Sequence, residues 1–433
     1  MMSQEFNQGL LAFLDRSPTP FHATREMVQA LCAAGFVQLA EDDAWHLETG
    51  GRYLVTRNDS SLIAFTLGHE PLASSGLRLV GAHTDSPCLK LKPHPELVQQ
   101  GYQQLAAEVY GGVLLNPWFD RDLSLAGRVT LIRPDGSLCN RLLDFRCPLA
   151  IIPSLAIHLD REANDKRSIN RQTYLPALIQ GKSTEQFDIR NEALLALVRE
   201  EPALEGSRVL AFELSFYGTQ PAQILGWRGE FIASARLDNL LSCYTGLCAL
   251  RDAEAPVSQW LVCNDHEEVG SASTSGARGN FLESVLLRVF DDHGAQARAM
   301  ARSVLVSTDN AHAVHPNFPD RHDACHSPVI NGGPALKVNA NQSYATNSES
   351  AAVFMHAAER AGVAVQSFVA RSDMGCGSTI GPLAATRLGV RTVDVGVPTF
   401  AMHSIRELAG TEDAFALYRA LSAFFALPSV AVR

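Results

Sequence analysis

The 433-residue chain is longer than one hydrophobic core usually supports, and 46% hydrophobic with 19% charged residues fits a globular protein of two domains. A net charge of −10 without a dense Lys/Arg block argues against nucleic acid or an anionic membrane as partner, and leaves any taste for acidic ligands to a local cation. The first residues lack the basic and apolar regions of a secretory signal, no apolar stretch is long enough to span a bilayer, and nine cysteines without C-x-x-C spacing read as reduced thiols, so a cytoplasmic location is expected.

In chain order, residues 3–14 place Phe6, Leu10, Phe13 and Leu14 on one helical face, which Pro18 and Pro20 interrupt. Thr19 as N-cap with Pro20 at the first helical position opens a second helix, with Met27, Val28 and Leu31 inward and a stop at Gly35. Residues 53–55, 62–65 and 77–81 read as strands, the last delivering A-H-T-D-S-P at its end. Between 92 and 228 the texture changes to alternating stretches such as 129–132, a turn at Pro134-Asp135-Gly136, a charge-dense segment at 160–171 and a helix at 191–199. This predicts a β-rich domain at 92–228 inserted into a first domain formed by 1–91 and 229–433. In the second part, helices at 237–251, 379–388 and 412–425 alternate with strands at 260–263, 304–306, 365–369 and 392–395. The rhythm is that of an α/β fold with a mixed, mostly parallel sheet covered by helices, whose site lies beyond the carboxyl ends of its strands.

The polar residues gather at those ends. Strand 260–263 runs into Asp265, His266, Glu267 and Glu268, and adjacent carboxylates at the mouth of a buried strand resist joint ionisation unless a cation is near. His83, Asp238, Asp309 and His403 each follow an apolar strand or sit at the lip of a helix. Singly these are weak signals, and Asp238 has an ordinary alternative as a helix cap. Together, two imidazoles and several carboxylates suit a pair of borderline divalent ions, Zn2+ before Mn2+ or Co2+. A bridging carboxylate would let such ions share one water and lower its pKa to give a hydroxide nucleophile, which leaves one glutamate as general base. Asp85, two residues after His83, suits the acceptor that fixes the imidazole tautomer, with a turn-forming role as the alternative.

Across nearly its whole length the chain resembles the aspartyl aminopeptidases, which are co-catalytic zinc enzymes. The resemblance is carried by S-P-T-P-F-H from Ser17, H-T-D-S-P, I-P-S-L-A-I-H-L, L-D-N, H-E-E-V-G-S, D-N-A-H-A-V-H-P-N, G-P-A-L-K-V-N, G-S-T-I-G-P and M-H-S-I-R-E. It implies that His83 and Asp309 hold one metal, Glu268 and His403 the other, and Asp238 bridges them, with Glu267 as base and Asp85 as partner of His83. It also implies an inserted dimerisation domain, a tetrahedral dodecamer, a His158 that reaches a neighbouring subunit's active site, and a Lys337 that reads an acidic first residue of a peptide with a free N-terminus. One departure is Gly375, where relatives are expected to carry proline before Cys376, which would loosen that loop.

Three other readings compete. Gly375, Gly377 and Gly381, followed by Asp394, mimic a dinucleotide-binding turn, but the spacing is G-x-G-x-x-x-G and leaves the carboxylate and histidine set unexplained. An N-acyl amino acid deacylase would use the same metals on a blocked substrate. A metal-bearing scaffold without turnover would not need the spare glutamate. The segment with His312, His315, His322, Cys325 and His326 lacks compact zinc-finger spacing and is read as a pocket wall, with His315 the candidate for substrate contact.

Overall fold

The computed structural model describes residues 2–182, 186–254, 256–290 and 292–431. The chain divides into two compact units, one formed by 1–85, 222–402 and 407–433, the other by 86–221 and 403–406. The boundaries differ from the expected 91/92 and 228/229 for a local reason. Strand Cys88–Gln99 belongs wholly to the second unit's sheet, whereas Gln223–Leu225 pairs with Phe231–Ser234 in a sheet of the larger unit.

The larger unit is built on a nine-stranded mixed sheet. At its centre Ser258–Asn264, Leu77–His83, Val304–Thr308 and Arg391–Gly396 lie side by side, all parallel. Antiparallel neighbours flank them, Ser61–Thr66 on one side and Ala335–Lys337 on the other. Ser258–Asn264, Leu77–His83 and Val304–Thr308 are buried along their whole length, as expected for strands covered on both faces. One covering layer contains Ser3–Arg16, Pro20–Ala33, Leu237–Arg251, Ser348–Arg360 and Asp413–Phe425, which bury Phe6, Leu10, Met27, Leu247, Phe354 and Phe424 in one core. A second core holds Trp260, stacked on Phe65 at 4.6 Å, with Leu79, Leu305 and the helix Phe281–Val289. A five-stranded sheet adds Ala311–His312, Pro398–Phe400 and Glu407–Gly410.

The sequence reading located the first two helices, the central strands and the helix at 237–251. Thr19 does precede Pro20–Ala33, but its hydroxyl lies 2.8 Å from His22 Nδ1 rather than on a backbone N–H, which ties the S-P-T-P-F-H stretch to itself. The second unit is a six-stranded antiparallel sheet with the helix Ile189–Glu200 and its own core around Leu105, Leu125, Leu131, Leu214 and Phe216. No helix among the described residues is long and apolar enough to cross a membrane.

Candidate active site

The site is assembled where the central parallel strands end. Leu77–His83 closes on His83, Ser258–Asn264 leads into Asp265–Glu268, and Val304–Thr308 leads into Asp309. Asp238 arrives from a broken helix start. It lies inside the first turn of Leu237–Arg251, with Arg236 at the N-cap position, and both Asp238 and Asn239 have non-helical backbone angles across a cis peptide bond. The Asp238 angles are in the extended region, as for a residue that flanks a helix. The Asp238 N–H donates to Glu407 Oε2 at 2.9 Å, and Asn239 Nδ2 donates to the Thr308 carbonyl at 2.8 Å.

His83 Nε2 lies 3.4 Å from Asp238 Oδ1 and 3.6 Å from Asp309 Oδ1. One ligand atom from each of His83, Asp238 and Glu268 falls within 4.8 Å of the others, and among the described residues no other group of three or more His, Cys, Asp or Glu does so. His83 Nδ1 donates to the main-chain carbonyl of Asp85 at 3.0 Å, with the Asp85 carboxylate at 3.3 Å. That places the lone pair on Nε2, toward the carboxylates. The Asp85 carboxylate has a further task the sequence did not show: Oδ1 accepts the Glu267 N–H and Oδ2 the Glu268 N–H, each at 3.1 Å. The two glutamates sit in a single 3-10 turn, Glu267–Val269, entered through His266 at φ 62°.

Charge is unbalanced in this nest. Burial drives Glu267 up to about 7; the His83 imidazole opposes this, and Asp309, Asp85 and Asp238 add to it. Glu268 is pushed well above the usual carboxylate range by burial first and then by Asp238. For His83 burial disfavours the imidazolium, yet Asp238, Asp309 and Asp85 outweigh it and raise its pKa. A divalent cation among these oxygens would supply the missing charge and reverse the sense of all three shifts. Imidazole nitrogen with carboxylate oxygens is a donor set zinc accepts, so these residues fit that ion.

Lys337 is buried against Asp309, within hydrogen-bonding reach of its carbonyl and carboxylate. His403 falls in the second unit, where Nδ1 lies 3.1 Å from the Gly112 carbonyl, the same donor arrangement as in His83. His158 is exposed among the exposed Leu155, Ile157 and Leu159 of that unit. The His315 ring packs against Phe318 and Phe400, the main-chain N–H of His315 donates to His322 Nε2 at 3.1 Å, and His326 pairs with Asp323. Gly381 is no phosphate-binding turn, because a side chain there would run into Asp394, which accepts from Thr379 at 2.6 Å. Gly375 has open space around it, so no contact there demands glycine. Glu407, the last residue of M-H-S-I-R-E, is the site residue the sequence concealed. A lone glutamate between Arg406 and Leu408 carries no local signal of burial.

The Aminopeptidase I zinc metalloprotease (M18) family matches residues 13–425. The chain belongs to the M18 family of zinc aminopeptidases. It is 60% identical over 426 residues to a probable M18 family aminopeptidase 2 of Stutzerimonas stutzeri, covering 98% of this chain and 99% of that one. Among solved structures it is similar to the chain in the cryo-EM structure of the Ape4 and Nbr1 complex, at TM-score 0.93 and 36% identity over 98% of this chain and 86% of that one. It is also similar to a chain of the S. cerevisiae mApe1 dodecamer, at TM-score 0.82 and 28% identity over 98% and 96%. Membership in M18 makes the protein a metalloaminopeptidase and removes the dinucleotide reading.

Proposed function

We propose that this M18 enzyme removes the N-terminal residue, Asp or Glu by preference, from peptides with a free N-terminus. Its ligand set would be His83, Asp238, Glu268, Asp309 and His403, with Asp238 shared between two ions. When bound, such ions would polarise the scissile carbonyl and lower the pKa of the attacking water. Glu267 would take the proton from that water and return it to the leaving amine. Asp85 would orient His83 through its carbonyl and carboxylate, and hold the paired glutamates through their N–H groups. The observation that carries this reading is that Glu268, and not its neighbour Glu267, brings an oxygen within 4.8 Å of ligand atoms of His83 and Asp238, while Asp85 holds the N–H groups of both. The unit at 86–221 would serve dimerisation and the assembly would be a dodecamer, for which the likeness to the mApe1 dodecamer is the support. His158 and its exposed apolar neighbours would face another subunit, and His315 would touch substrate. A cytoplasmic location accords with the nine free cysteines.

Hydrolysis of Asp, Glu, Leu, Lys and Ala chromogenic amides and of N-acetyl-Asp amide, by stripped enzyme with Zn2+, Mn2+ or Co2+ added back, tests it. Metal-dependent cleavage confined to free Asp and Glu is expected. Preference for Leu or Ala would remove the acidic specificity, and cleavage of the blocked substrate alone would make the protein a deacylase.

A further inference from the structure

Glu407 is a carboxylate in a place where burial disfavours charge. It is 2% exposed, and it opens the strand Glu407–Gly410, which lies between Phe231–Ser234 and Pro398–Phe400 in the five-stranded sheet. Its partner across the ladder is Ser234, four residues before Asp238. That register brings the carboxylate to the entry of Leu237–Arg251, where Oε2 accepts the Asp238 N–H at 2.9 Å.

The first N–H groups of a helix have no partner inside it, and a neutral Ser, Thr or Asn oxygen would satisfy one at a smaller desolvation cost. A carboxylate makes a shorter and stronger bond to the same N–H. It also brings one more negative charge to a nest that already holds Asp238, Glu268 and Asp309, which is unfavourable in the empty site and offset once cations bind.

Asp238 is the ligand for which placement matters most. A shared carboxylate must present an oxygen to each ion, so a small rotation of its peptide spoils both bonds. The residues on either side are fixed by their side chains: Arg236 donates to the Leu14 and Ser17 carbonyls at 3.2 and 3.0 Å, and Asn239 Nδ2 to the Thr308 carbonyl at 2.8 Å. Glu407 supplies the anchor at Asp238 itself.

We infer that Glu407 is a positioning residue for the metal centre: by holding the Asp238 N–H it sets the carboxylate that the two ions share. The inference rests on the two-metal reading above and adds to it a residue outside the ligand set.

Glu407→Leu removes the acceptor at similar size, and Glu407→Gln keeps an oxygen acceptor without the charge. Both variants and wild type should be stripped, checked for folding by circular dichroism, titrated with Zn2+ and Co2+ for ions bound per subunit, and assayed for kcat and KM on Asp, Glu and Leu amides. In Glu407→Leu both ions are expected to bind about tenfold to 100-fold more weakly, with an altered visible absorption of bound Co2+. Its kcat should fall by a common factor on the three amides with KM little changed, and excess metal should restore part of the loss. Glu407→Gln should lie between the Leu variant and wild type. A folded Glu407→Leu that binds both ions with wild-type affinity would overturn the inference, as would weakening of a single ion, because Asp238 serves both. If Glu407→Leu does not fold, Glu407→Asp, whose shorter stem draws the carboxylate back from the Asp238 N–H, is scored by the same criteria. Wild type that binds fewer than two ions per subunit would instead sink the two-metal reading itself, and with it the shared carboxylate.

Discussion

Glu267 and Glu268 are chemically identical neighbours that the fold treats differently. Both lose solvation, but only Glu268 brings an oxygen into the group with His83 and Asp238. The division predicts the outcome of Glu267→Gln, which keeps the size of the side chain and removes its basicity. Metal content should match wild type while kcat falls by about 100-fold to 10,000-fold. Elemental analysis beside steady-state kinetics checks it, and unchanged kcat with normal metal would discard Glu267 as the base. Residue types at strand ends were legible in the sequence because a charged run after a buried strand is anomalous on its face. The bonds that orient them were not, since the contacts of Asp85 with Glu267 and of Glu407 with Asp238 join positions far apart in the chain.

Among elements, long apolar strands and helices announced themselves, while short ones did not. Ala335–Lys337 spans too few residues to show a period, so the strand that carries Lys337 went unseen. The same holds for the five-stranded sheet, whose strands include Ala311–His312 and Glu407–Gly410. Asp413, at the start of Asp413–Phe425, yields a prediction at this scale. It accepts N–H groups from Asn331 at 2.6 Å and Gly333 at 2.8 Å, yet burial pushes its pKa up to about 6 from 3.8. The folded state thus holds the proton more tightly, so this group's contribution is full below about pH 4 and is lost as pH rises through about 6. Relative to Asp413→Asn, which does not titrate, wild type should be more stable at pH 4 than at pH 7 by on the order of 2 kcal/mol. Melting both proteins across that range checks the sign. A difference that stays constant with pH would refute the burial argument.

At the scale of the molecule, the two units keep separate cores, and the candidate metal group His83, Asp238 and Glu268 lies in the larger one. Ligation should therefore stabilise the larger unit, by about 4 kcal/mol when free metal exceeds its dissociation constant 1,000-fold. Calorimetry with and without chelator should show the melting transition of that unit fall and recover on adding Zn2+ back. A transition indifferent to chelation would mean that the carboxylate nest does not hold metal.

The Asp85 carboxylate acts as a reading frame. Its two oxygens index successive main-chain positions, so they register which residue stands first and which second in the turn, whatever the side chains are. Insertion of one residue between Asn264 and Glu267 would move Glu267 into the second position and leave the first without it, and deletion of one would put Glu268 first and Val269 second, so either change keeps the motif's composition almost intact and yet empties one of the two roles. The segment is thus constrained in length more strictly than in sequence.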